Sequence, residues 1–272
     1  MNKPERQKPA RIQNHDKQIS ANFNPAWTFS TFVVGPSNIC AFKAAQLIAS
    51  TLKTQYSPLF IYGGGGLGKT HLLNAIGLNR MAISTERIST ITAESFTNNY
   101  INALQQRELI QFRQQYRNQD LLLIDSIQFL TGRDRMQEEF LHTFNALHDS
   151  GKQIVITADR APNQIPGFAA NLIDRFEAGL CVEIGHPDIG TISSILRRKL
   201  EATRTSLPKD CIAHITNVAG LNIRRLEGAI KSATSYKSIS GKDLTLPILK
   251  LILKYLTEQR SAPQNNARGP ES

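Results

Sequence analysis

Cysteine is scarce in this 272-residue chain: only Cys40, Cys181 and Cys211 are present, with no CxxC spacing among them. That excludes a disulfide framework and a cysteine zinc site, and leaves reduced, structural thiols as the expectation. No apolar stretch approaches the ~20 residues needed to span a bilayer. The polar N-terminus also lacks the apolar segment of a secretory signal, so the sequence reads as cytoplasmic. Six histidines occur, but no pair has metal-ligand spacing with a third partner, and His142 and His148 read as ordinary helix residues. No internal repeat is visible. Acid is short relative to base: 32 Lys plus Arg against 22 Asp plus Glu give a formal net charge of +10. The imbalance favours polyanionic partners, either nucleic acid or acidic membrane lipids.

With 40% hydrophobic residues the chain can bury a substantial core in one large or two moderate domains. Residues 1–22 and 257–272 are polar and aperiodic and read as flexible tails. Between them, apolar runs recur at 59–62, 88–92, 121–124, 153–158 and 180–184, separated by segments of helical period. This alternation predicts an α/β domain over 23–186 built on a mostly parallel five-stranded sheet. Beyond it, 188–204, 208–219, 222–238 and 243–256 read as helices stopped by Gly220 and Gly241, a small helical domain over 187–256. Phe140, Leu141, Phe144 and Leu147 fit the core face of a helix. The stretch LPILKLILKYL at 246–256 is amphipathic, with Lys250 and Lys254. It could lie on acidic lipid, but packing on neighbouring helices explains it more simply.

GGGGLGKT at 63–70, straight after the apolar run Leu59 to Tyr62, fits GxxxxGK[ST]. A polyphosphate is met by backbone N–H groups turned inward, and residues without Cβ hold such φ/ψ values close to a ligand. Gly63, Gly65, Gly66 and Gly68 meet that need, with Leu67 among them. Lys69 would reach the β- and γ-phosphates, and the Thr70 hydroxyl would join a Mg²⁺ shell. A helix from His71 to Leu78 would aim its N-terminal dipole at the same anion. The bland alternative, a flexible glycine turn, requires this pattern to follow a strand by accident. The run Leu121 to Ile124 then ends in Asp125, an acid at a strand tip placed to hold the Mg²⁺, as in a Walker B strand. Without the loop, Asp125 would read equally well as a turn cap. The next residue is Ser126, where hydrolysing enzymes of this architecture place an acid. A hydroxyl without a nearby base cannot take a proton at neutral pH, so binding of ATP without brisk turnover is expected.

These residues stand in blocks that resemble the AAA+ module of the bacterial chromosomal replication initiator family, DnaA. The blocks are NPAWTFSTFVVGPSN at 24–38, LFIYGGGGLGKTHLLNAIG at 59–77, FTNNYINAL at 96–104, FRQQYRNQDLLLID at 112–125, IQFLTGRDRMQEEFLHTFNALH at 127–148 and NIRRLEGAI at 222–230. The resemblance implies that Val33, Val34, Gly35 and Asn38 pack on the adenine, and that Asp159 senses the γ-phosphate. It implies that Arg175 is an arginine finger given to a neighbour's ATP, and that Arg224 is a second sensor reaching from the helical lid. Self-assembly, or assembly with a full-length initiator, would then depend on ATP.

The resemblance also implies DNA contact, single-stranded rather than duplex, through Ile101 on sugar or base and Arg133 and Arg135 on phosphates. Against each arginine stands the plain reading of a solvated surface charge. Three departures limit the transfer. Ser126 replaces an acid; Ala169, Ala170 and Asn171 replace a charged stretch before the finger segment; and the family continues beyond position 256 into a helix-turn-helix domain. A regulatory paralogue similar to the short AAA+ inactivator Hda is the alternative. It would contact the initiator and the sliding clamp, with Gln18, Ile19, Ser20 and Phe23 as a faint clamp-binding peptide. A third reading has Glu138 or Glu139 supply the missing acid.

Overall fold

The computed structural model describes residues 23–254, residue 55 apart. Five short apolar runs form strands: β1 (Leu59–Tyr62), β2 (Ile88–Thr92), β3 (Leu121–Asp125), β4 (Gln153–Ala158) and β5 (Leu180–Glu183). They pair in the order β2-β3-β4-β1-β5, every pairing parallel, which is the expected α/β sheet. Parallel neighbours need helical crossovers, and these cover both faces of the sheet. Helix α1 (Ile39–Ser50) packs on the sheet ahead of the first strand, and the crossover helices are α2 (Lys69–Ile83), α3 (Ala93–Gln106), α4 (Leu109–Arg117), α5 (Asp134–Asp149) and α6 (Ala170–Glu177).

Side chains alternate along a strand, so the sheet sorts its residues into two cores. Leu59, Ile61, Leu121, Leu123 and Val155 pack with α1 and α2. Phe60, Leu122, Ile124, Ile154, Ile156 and Ala158 pack on the other side with α3, α5 and α6. Asp125 and Thr157, each two residues beyond a member of the first set, therefore emerge on the face where α2 begins.

A third core joins α7 (Ile189–Ala202), α8 (Lys209–Ala219), α9 (Ile223–Ser240) and α10 (Leu246–Ile252). Gly220 and Gly241 close α8 and α9 at φ +57° and +64°, the left-handed side that favours glycine. α10 starts three residues later than the periodicity suggests, with Pro247 in its first turn. It buries Leu249 and Leu253 among its neighbours and leaves Leu251 74% exposed, the packing expected of a helix in this bundle. Among the described residues no helix is long and apolar enough to cross a membrane.

Residues 23–38 strap across these layers. Asn74 on α2 donates to the Asn24 and Trp27 carbonyls at 2.9 and 2.8 Å and accepts from the Asn24 N–H at 2.8 Å. The Phe23 ring lies against Gly77, where no Cβ would fit. A clamp-binding peptide needs that ring free, so this packing removes Phe23 from the clamp reading; Gln18, Ile19 and Ser20 lie outside the described residues.

Candidate nucleotide site

The glycine loop leaves β1 at the carboxyl edge of the sheet, the edge where open α/β folds bind ligands. The Gly63 N–H is fixed to the Ala158 carbonyl at 3.3 Å. Gly66 and Gly68 take φ +80° and +104°, and a Cβ on Gly68 would stand 2.8 Å from the Phe32 ring. Gly68 caps α2, which begins at Lys69 rather than His71. The left-handed cap turns the chain early, so Lys69 and Thr70 are the first two helical residues and their amides have no intrahelical acceptor. Lys69 Nζ donates to the Gly63 and Gly64 carbonyls at 2.6 and 2.7 Å. Burial lowers its pKa; Asp125 and Asp159 oppose that, and Arg224 adds to it. Leu67 is buried in the first core, which leaves its backbone to face a ligand.

Asp125 is gripped from both sides. Thr70 Oγ1 donates to Oδ2 at 2.7 Å, and the Thr157 hydroxyl donates to Oδ1. Two hard oxygens, one hydroxyl and one carboxylate, thus converge at the start of α2, a donor set that suits Mg²⁺. Among the described residues no cluster of three or more His, Cys, Asp or Glu could hold a metal alone. A Mg²⁺ here would draw its remaining ligands from phosphate and water, as that ion prefers. Ser126 stands at φ +61°, ψ +53° and its N–H donates to Thr157 Oγ1 at 2.9 Å. No carboxylate occupies its position, and Glu139 cannot substitute. Glu139 is 5% exposed and held by Arg113 and Arg117 at 2.9 and 2.7 Å. Burial opposes its ionisation, yet the two guanidinium groups, Arg113 foremost, keep its carboxyl below the usual range. Glu138 is exposed, 3.9 Å from His142.

Arg224, near the start of α9, lies over the loop: a Cβ at Gly66 would meet its Cγ at 2.5 Å, and one at Gly65 its guanidinium at 3.1 Å. Asp159 follows β4 and is paired with Arg160 at 3.0 and 3.1 Å. Val34 is exposed within the strap. Asn38 is buried, accepting from the Gly35 N–H at 2.9 Å and donating to the Val33 carbonyl at 3.1 Å, so its side chain braces the 33–35 turn. The His71 ring packs into the strap, 2.8 Å from the Thr28 carbonyl and stacked on Trp27. Burial lowers its pKa, and it ties the strap to α2.

Other positions lie apart from this cluster. Arg175 faces solvent on α6, whose buried side is Leu172 and Phe176. Ile101 is 43% exposed on α3, and Leu104, one turn on, is also exposed. Arg133 and Arg135 are exposed at the N-terminal end of α5. No local pattern marks Thr157, Arg198 or Asn74; a threonine inside the otherwise apolar run QIVITA is the one hint.

The family model of the bacterial DnaA ATPase domain matches residues 23–183. A chromosomal replication initiator protein DnaA of Geobacter sulfurreducens is 46% identical over 243 residues, 89% of this chain and 55% of its own length. Domain III of the Thermotoga maritima replication initiation protein DnaA has a TM-score of 0.84 and 42% identity, covering 87% of this chain and 99% of that one. A replication initiator DnaA bound to AMPPCP and single-stranded DNA has a TM-score of 0.73 and 34% identity, covering 80% and 69%. The chain spans about half the length of the curated relatives it matches. By its parallel sheet, its glycine loop and these identities, the chain belongs to the bacterial DnaA family through its ATPase domain.

Proposed function

We propose that this chain binds ATP with Mg²⁺ at Gly63 to Thr70, assembles through its AAA+ surface when ATP is bound, and engages single-stranded DNA in the initiation of chromosomal replication. Residues 23–186 form the nucleotide-binding domain in this reading, and 187–256 the lid. The carrying observation is the position of Arg224 over Gly65 and Gly66, above the face where Thr70 and Asp125 meet. Two groups distant in sequence, Asp125 and Arg224, converge on the one loop.

The loop amides and the α2 N-terminus bind the phosphates, and Lys69 exchanges its two carbonyl partners for phosphate oxygens. Thr70 and Asp125 would hold the Mg²⁺, which neutralises phosphate charge when bound. Arg224 adds a cation from the lid, so lid position responds to the triphosphate. Ser126 has no carboxylate to orient water, a deficit of roughly 10²–10⁴-fold in rate. The molecule therefore holds ATP rather than spending it, and its Arg175 reaches the ATP held by a neighbour. Ile101 and Leu104 on α3 supply apolar contact, and Arg133 and Arg135 supply charge for a single strand. Cytoplasmic location follows from ATP and chromosome as partners.

Fluorescence anisotropy with a labelled poly-T oligonucleotide tests the DNA arm. Binding is expected with ATP, to weaken with salt, and to fall about tenfold in Arg135→Ala, the scale of one or two lost phosphate contacts. Equal binding without nucleotide contradicts the proposal.

A further inference from the structure

We infer that Thr157 is a positioning residue of the nucleotide site: its buried hydroxyl sets the orientation of the Asp125 carboxylate and anchors the backbone at Ser126. The inference rests on the proposed reading of that site as one for ATP and Mg²⁺. β4 is buried along its whole length, and Thr157 is 0% exposed. A buried hydroxyl needs partners. This one uses its single proton on Asp125 Oδ1 and a lone pair on the Ser126 N–H, at 2.9 Å.

The consequence is geometric. The terminal torsion of an aspartate is broad and roughly two-fold, so a carboxylate held at one oxygen can still rotate. With Thr157 on Oδ1 and Thr70 on Oδ2, rotation is blocked, and Oδ2 stays aimed at the start of α2. The second bond acts on the next residue. Ser126 is in the left-handed region at φ +61°, where a side chain with Cβ is disfavoured. Its amide anchor on β4 holds that turn directly beyond the metal-binding acid. Any residue at 126 then projects from a fixed backbone, which makes Thr157 the support for two positions at once. A purely structural hydroxyl would matter for stability; a positioning hydroxyl matters for what Mg²⁺ adds to nucleotide affinity.

Fluorescent-ATP titrations of the full chain in Mg²⁺ and in EDTA separate the two. The variants are Thr157→Ser, which keeps the hydroxyl, and Thr157→Ala, which is nearly the same size without it. Thr157→Val tests the same loss with the branched shape kept, and circular dichroism and thermal melts report folding for each. The Mg²⁺ enhancement of affinity is expected to fall about tenfold in Thr157→Ala and Thr157→Val, with EDTA affinities within about twofold of wild type and Thr157→Ser close to wild type. Equal enhancement in the Ser and Ala variants overturns the inference and leaves the ATP reading intact. A loss of the same size in EDTA also overturns it, because the hydroxyl is then structural. Should Thr157→Val not fold, the Ser and Ala pair decides alone. A wild-type chain that binds no nucleotide overturns the ATP reading and this inference together.

Discussion

At the scale of single residues, the departure with the sharpest consequence is Ser126. It occupies a left-handed conformation in which Asp and Asn are several-fold enriched and serine has no such advantage. Ser126→Asp is therefore expected to be accepted by the backbone and to restore a water-orienting carboxylate. Phosphate release at saturating ATP should rise about 10–100-fold, within the range of general-base help; an unchanged rate would show that the residue does not limit turnover. The meeting of Lys69, Thr70 and Asp125 at one loop was legible in the sequence, because local pattern marks each of them. Contacts set by distant partners were not: Thr157 is 32 residues from Asp125, His71 is 43 from Thr28, and Asn74 is 50 from Asn24. Only folding makes those pairs neighbours.

At the scale of elements, the five strands stood out because parallel strands covered on both faces are short continuous apolar runs. The start of the last helix was read less well: 243 became Leu246, where Pro247 favours the first turn and delays the start. The leading edge of the sheet is tied by a charge network that periodicity does not show. Asp120 precedes β3 and accepts from Lys152 Nζ at 2.7 Å and from the Arg87 N–H at 3.0 Å, joining β2 and β4 to it. Burial raises its pKa, but these partners, Lys152 foremost, bring the net value down to about 2. A carboxyl depressed on folding adds stability above its unfolded pKa and loses it as pH falls towards the folded one. Asp120→Asn should thus cost about 1–2 kcal/mol at pH 7, discounted for partial exposure. The difference from wild type should shrink between about pH 4 and pH 2 in urea denaturation. A constant difference across that window would assign the loss to packing instead.

At the scale of the whole molecule, the 23–38 strap links the layers. Arg198 on α7 donates to the Ser30 carbonyl and, at 3.5 Å, to the Phe32 carbonyl, while the Gly185 N–H donates to Ser37 at 2.9 Å. Sheet, strap and helical bundle are thereby joined, and Arg224 brings the bundle to the glycine loop. An ATP-bound molecule should offer Arg175 to a partner without using it for its own nucleotide. Arg175→Ala is expected to leave ATP affinity within about twofold and to lower ATP-dependent assembly about tenfold or more in sedimentation. Loss of ATP affinity in the isolated variant would place that arginine in its own pocket.

The central claim is that Lys69, Thr70, Asp125 and Arg224 form one pocket for a triphosphate and its metal. Calorimetric titration of ATP with Mg²⁺ into the wild-type chain, Lys69→Ala and Arg224→Ala tests it most directly. The account predicts saturable binding by wild type, weakened at least about 100-fold in Lys69→Ala and about tenfold in Arg224→Ala, as expected when a charged contact to phosphate is lost. Wild-type affinity in Lys69→Ala would contradict it.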